Sequence, residues 1–183
     1  MKRPAIVLLL ILSGCMLYAQ DRSLSIAQQI ALYQLDPDAV TVHISKLSHT
    51  LTLSIGTHTL REYACVFGGD PVSDKKYEGD QCTPEGTFHV LSKYPHKSWE
   101  KFIWIDYPTA DSQRKYEANQ RRGLIPEGRG IGGSIGIHGV PDHHDYLIDQ
   151  TVNWTLGCIS LRTDDINEIY QYVHPGTEII ITR

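Results

Sequence analysis

The chain has no apolar run long enough to cross a bilayer as a helix. The longest stretch, residues 5–12, falls well short of the roughly 20 residues such a span needs. It also has no internal repeat and no low-complexity tract, which excludes a stacked array of identical units. It has no surplus of basic charge. Seventeen Lys and Arg stand against 21 Asp and Glu, a formal net charge of −4, so no nucleic-acid footprint is present. Arg114, Lys115, Arg121 and Arg122 lie among polar neighbours and read as a solvated face. Cysteine is scarce as well, with only four: Cys15, Cys65, Cys82 and Cys158.

What is present at the N-terminus has the layout of a secretory signal over residues 1–19. Lys2 and Arg3 precede the apolar run, and polar residues resume at Gln20. Two processing readings stand side by side. Leu12-Ser13-Gly14-Cys15 is similar to a bacterial lipobox, which makes Cys15 a lipidated first residue and holds the protein on a membrane face. Cleavage before Gln20 uses Ala19 instead and releases the protein. Both readings imply export to the periplasm, with the membrane reached only through a lipid anchor. About 160 residues then remain, the size of one domain with its own core.

A helix is expected over residues 23–35, where Leu24, Ala27, Ile30, Ala31 and Leu35 recur at helical spacing before Asp36-Pro37 ends it. Residues 20–39 therefore read as an N-terminal helix and linker. Strict alternation follows at Val40, Val42 and Ile44, and again at Leu51, Leu53 and Ile55, with Gly56-Thr57 turning a hairpin into residues 60–67. Residues 87–92, 102–105, 136–138, 157–161 and 178–182 are further strand candidates. Thr163-Asp164-Asp165 reads as the cap of a helix running through Ile169 and Tyr172. Short strands dominate, so the expected class is mainly β, sandwich- or barrel-like, with a few short helices.

If Cys15 is removed or lipidated, three cysteines remain, an odd number for an exported chain. Cys65 and Cys82 flank one Gly/Asp-rich excursion and are candidates to pair, although connectivity cannot be deduced from spacing. That pairing would leave Cys158 as a free thiol. A thiol becomes a nucleophile when an imidazole takes its proton. The best imidazole candidate is His138, in Gly136-Ile137-His138-Gly139. Gly157 lets the backbone approach a substrate carbonyl, and the N–H groups of Gly157 and Cys158 are oxyanion-hole candidates. The residues alone also allow Cys158 to be a buried structural cysteine.

Ile137-His138-Gly139, followed about twenty residues later by Gly157-Cys158-Ile159, resembles the active-site signature of the YkuD-type L,D-transpeptidase family. Upstream, Thr83-Pro84-Glu85-Gly86-Thr87-Phe88 is similar to the Thr-Pro-x-Gly-x-Phe segment of that family. Residues 101–108 and Gly132-Gly133 resemble a murein-acting subgroup, and the likeness runs over residues 40–183, the expected catalytic domain. It implies a β-rich transpeptidase fold with Cys158 attacking a stem-peptide carbonyl of peptidoglycan. His138 would be the base and the Gly139 carbonyl its orienting group. Stem peptides would be donor and acceptor, a wall-attached lipoprotein is a further acceptor class, and no cofactor or metal is implied.

Two positions depart from the commoner family pattern. Leu156 stands where many members have His, and Ser160 where many have Arg. Because side chains alternate along a strand, Arg162 is expected on the face of Ser160 and Cys158, and Thr155, Ser160 and Arg162 are the substrate-binding candidates. Three alternatives remain open: an L,D-carboxypeptidase or amidase-type hydrolase, a wall-binding module without catalysis, and a zinc peptidase using His138 with His143 or His144. Asp142-His143-His144-Asp145 otherwise reads as a polar loop. Phe102, Trp104 and Tyr107 read as core and rim packing, and Glu85 as part of the turn around Pro84.

Overall fold

A computed structural model describes residues 24–183. The signal segment 1–19 and the lipobox Cys15 lie outside the described residues.

The expected first helix forms as α1 (Ile26–Tyr33), started by a capping box in which Ser25 Oγ accepts from Gln28 N–H and Gln28 answers to the Ser25 N–H. After a 3₁₀ turn at Pro37–Ala39, the two alternating segments become β1 (Val40–Ser45) and β2 (Thr50–Ile55), with β3 (His58–Ala64) completing a meander. Every second residue of β1 and β2 is buried, so Val42, Ile44, Leu51 and Leu53 enter one core, which β3 joins through Leu60 and Tyr63. The C-terminal β8 (Glu178–Thr182) lies parallel to β1 and adds Ile179 and Ile181.

The long strand β4 (Gly86–His96) serves two neighbours. Its first half pairs with β8, and beyond an irregularity between Val90 and Ser92 its second half pairs with β5 (Glu100–Ile105). Next come β6 (Gly136–Gly139), antiparallel to β5, and β7 (Ile159–Leu161), parallel to β6. The eight-stranded order is β3-β2-β1-β8-β4-β5-β6-β7. The chain beyond β3 then bridges back to the far end. Val66 and Ser160 exchange both backbone bonds, and Gly68 bridges Thr155. The sheet is thereby a nearly closed barrel, as the mainly β expectation requires.

Helix α4 (Thr163–Tyr172) inserts Ile166 and Ile169 into the main core, and its N-cap is Arg162 without a side-chain capping bond, not the Thr-Asp-Asp cap read from sequence. The short α3 (Tyr146–Asp149) covers a second apolar cluster of Val66, Val140 and Ile148. Helix α2 (Ala110–Arg121) was not legible as a helix. It buries no residue, and polar bonds hold it: Lys115 Nζ donates to Asp74 Oδ2 and to the Glu85 carbonyl. Among the described residues no helix is long and apolar enough to cross a membrane.

The expected Cys65–Cys82 bridge is not formed. Both thiols are free: Cys65 lies in the main core, whereas the Cys82 Sγ donates to the Asp80 carbonyl. Nor does Glu85 belong only to its turn. Its Oε1 accepts from Lys46 Nζ at 2.9 Å, and the same buried ammonium donates to the Ser73 and Thr83 carbonyls. A single cation thus anchors the Thr83-Pro84-Glu85 segment to β1.

Candidate active site

The strand expected over residues 157–161 begins only at Ile159, so Cys158 stands in the turn just before β7, half-buried and free. That turn is fixed by Thr155. Its Oγ1 donates to the Cys158 carbonyl at 2.7 Å and accepts the Gly157 N–H at 3.1 Å. Thr155 therefore shapes the Cys158 loop from inside, although it also lines the cleft. Gly157 has φ +134, and a Cβ there would sit 2.8 Å from the Cys82 carbonyl oxygen. Gly157→Ala combines backbone strain with that clash and is expected to cost about 2 kcal/mol in chemical denaturation. Leu156→Ala, at a residue 77% exposed, is expected to stay within about 0.5 kcal/mol. Equal costs at the two positions would refute the steric account.

His138 reaches the same cleft from β6. Register brings Phe102 of β5 directly opposite, and the two rings stack at 5.8 Å and 8°. Trp99, in the turn between β4 and β5, lies against the ring at 4.4 Å and 22°, beside Phe102 at 6.2 Å, and Trp154 meets the ring edge-on at 5.6 Å. The imidazole is left 1% exposed. Its Nδ1 lies 2.7 Å from the Gly139 carbonyl oxygen, which can only accept, so the proton sits on Nδ1 and Nε2 keeps its lone pair.

Burial pushes the His138 pKa down to about 4, against the Gly139 hydrogen bond, which favours the charged ring. Burial likewise raises the Cys158 thiol, opposed by the Gly136 N–H and the Lys75 ammonium. The pair therefore rests as thiol and neutral imidazole. In an NMR titration the His138 ring is expected to stay neutral until about pH 4, and Trp99→Leu, which admits water, is expected to move the midpoint up toward 6.5. A wild-type midpoint near 6.5 would contradict the clamped ring. The sign for stability follows: the unfolded chain takes up a proton near 6.5 that the fold refuses, so this contribution is lost as pH falls from about 6.5 to 4.

Cys158, His138, Trp99, Phe102, Trp154 and Thr155 line one cleft of about 810 Å³. Trp99 and Trp154 carried no signal in the sequence as site residues, because strand pairing and the bend at Trp99 alone bring them to His138. Other expectations change. The Gly157 N–H is consumed by Thr155, whereas the Cys158 N–H has no partner among the described residues. Ser160 is fully buried under the second cluster, with its Oγ unpartnered, and does not line the cleft. Arg162 does not line it either, because its guanidinium pairs with Asp149 and Asp165. Asp145 accepts the Thr163 N–H, and His144 Nδ1 lies 2.6 Å from the Asp142 carbonyl oxygen, so this loop is folded on itself. Among the described residues no group of three His, Cys, Asp or Glu is placed to hold a metal ion.

Comparisons with known proteins agree with this geometry. The helical cell shape determining protein Pgp2 from Campylobacter jejuni superposes with a TM-score of 0.59 at 22% identity, covering 79% of this chain and 48% of Pgp2. Bd1075 of Bdellovibrio bacteriovorus does so at 0.55 and 19%, again over 79% of this chain and 48% of that one. At these identities the likeness is one of fold. In sequence, the probable L,D-transpeptidase YcfS of Escherichia coli (strain K12) is 28% identical over 125 residues, which cover 61% of this chain and 36% of the relative. The chain thus spans about a third of the length of its curated relative and about half that of the two solved structures. The family model for the L,D-transpeptidase catalytic domain, YkuD, matches residues 38–181, and the chain belongs to that family.

Proposed function

We propose that the protein is an exported cysteine acyltransferase acting on peptidoglycan stem peptides, an L,D-transpeptidase. The observation that carries this reading is the cleft shared by a free thiol and a ring-clamped neutral imidazole, in a chain of this family. Cys158 Sγ attacks the carbonyl of the stem diamino acid while His138 Nε2 takes the thiol proton. The Cys158 N–H donates to the oxyanion, and the Gly139 carbonyl supports the imidazolium through Nδ1–H. His138 passes its proton to the departing D-alanine amine, leaving a Cys158 thioester. An acceptor amine then attacks the thioester, the C–S bond breaks, and His138 passes the amine's proton to the departing Cys158 sulfur; the new amide is a 3-3 cross-link or a protein attachment. Water in the same position gives a shortened stem.

Export through residues 1–19, with a lipid anchor at Cys15 or release before Gln20, places the enzyme beside its substrate in the periplasm. The test is incubation with purified peptidoglycan and separation of muropeptides by mass. New 3-3 dimers are expected. Shortened stems alone would make it a hydrolase, and unchanged muropeptides from folded protein would overturn the reading. L,D-transpeptidase 3 from Mycobacterium tuberculosis has been solved with a faropenem-derived adduct. Here such a penem is expected to add mass to the wild type and none to Cys158→Ala.

A further inference from the structure

The cleft has a second chemical character away from the aromatic clamp. Two of its lining residues, Glu78 and Arg129, are charged and exposed, and neither side chain makes an ion pair or hydrogen bond among the described residues. Their backbones are held. Glu78 N–H donates to the Gly130 carbonyl at 2.8 Å, and Gly132 packs against the Glu78 side chain. The Arg129 N–H donates to Pro126, and the Arg129 carbonyl accepts from the Tyr116 hydroxyl. The guanidinium lies over Gly79, where a Cβ would come 3.6 Å from Nη1.

The other cations near the site are already engaged. Lys75 donates to Asp80 and to the Tyr77 carbonyl, and Arg162 is turned to Asp149. Arg129 is therefore the unpaired cation of the cleft, and Glu78, whose N–H bonds to the residue after Arg129, lines the same cleft as an unpaired anion. The geometry points to a subsite for a zwitterionic amino-acid head group, an ammonium and a carboxylate on one carbon. Arg129 takes the carboxylate through its planar fork and Glu78 takes the ammonium. Resting on the stem-peptide reading above, this makes the two residues specificity determinants for the stem's diamino acid. A side chain ending in both charges is held at both, and one ending in an ammonium alone leaves Arg129 unpaired.

The test is calorimetric binding to the Cys158→Ala protein of three tetrapeptide stems. Their diamino residue ends in ammonium plus carboxylate, ammonium plus carboxamide, or ammonium alone. The first is expected to bind about tenfold tighter than the other two, a modest figure for an exposed charge-assisted pair. Arg129→Gln is expected to erase that preference, Arg129→Lys to restore part of it, and Glu78→Gln to weaken all three stems by a similar factor. If Arg129→Gln leaves the carboxylate preference intact, or if the three stems bind alike to the parent, the subsite is refuted while the enzyme assignment stands. If no stem binds at all, both fall.

Discussion

Cys158→Ala is expected to reduce stem-peptide turnover to background, a loss on the order of 10⁴-fold or more. The chemistry requires a group that forms a covalent bond to the carbonyl, and alanine supplies none. His138→Gln is expected to lose about 10²- to 10⁴-fold, because the thiol remains but nothing takes its proton. Structure is not at stake in the loss of the sulfur, since the hydrogen bond that Sγ donates is a weak one, 3.6 Å to the Ser134 carbonyl oxygen. Unfolding midpoints of Cys158→Ala and wild type are therefore expected to agree closely. Donor consumption followed by mass reads the rate, and more than about 1% residual turnover in the alanine variant would remove Cys158 from the nucleophile's role.

The largest effect on stability is expected at Lys46, whose side chain is 1% exposed. Lys46→Met keeps the volume but strips a donor from Glu85 and from the carbonyls of Ser73 and Thr83. Breaking a buried pair from one side costs about 3–5 kcal/mol, because the remaining charge is left without compensation. For a domain of this size that lowers Tm by roughly 10 °C. Glu85 is partly open to water, so Lys46→Met with Glu85→Gln is expected to recover part of the loss. Calorimetric unfolding of the three proteins decides, and a cost below about 1 kcal/mol for Lys46→Met would show that the cation is not an anchor. Activity should fall with stability, since the anchored segment leads to Cys82, whose carbonyl faces Gly157.

Alternating burial made β1 and β2 legible, because one face of each strand is wholly in the core. Helix α2 was not, since Ala110–Arg121 carries no apolar stripe and is held by Lys115 and Tyr116 through polar bonds to distant partners. The same distinction runs through the site. Gly157-Cys158 and Ile137-His138-Gly139 are local motifs whose residues act where they stand. Trp99 and Trp154 reach His138 only through the β5–β6 register and the ring closure. Arg162 follows the strand alternation in sequence but terminates β7 as the N-cap of α4, which frees its side chain to meet Asp149. The Cys65–Cys82 pairing was an argument from spacing around one Gly/Asp-rich excursion, and spacing says nothing about which face each thiol occupies.

The closure of the barrel has a kinetic meaning. Val66 meets Ser160, Gly68 meets Thr155, and Gly157 meets Cys82, so the loop bearing the thiol is held by partners far away in the chain. Contacts of such wide separation bear the largest loop-closure entropy and set the pace of folding for barrels. Until they form, the loop has only its local bonds from Thr155 and the β6–β7 pairing that brings His138 near. In a refolding reaction the rise of penem reactivity at Cys158 is therefore expected to follow the closure of that seam rather than the formation of the β1–β3 meander.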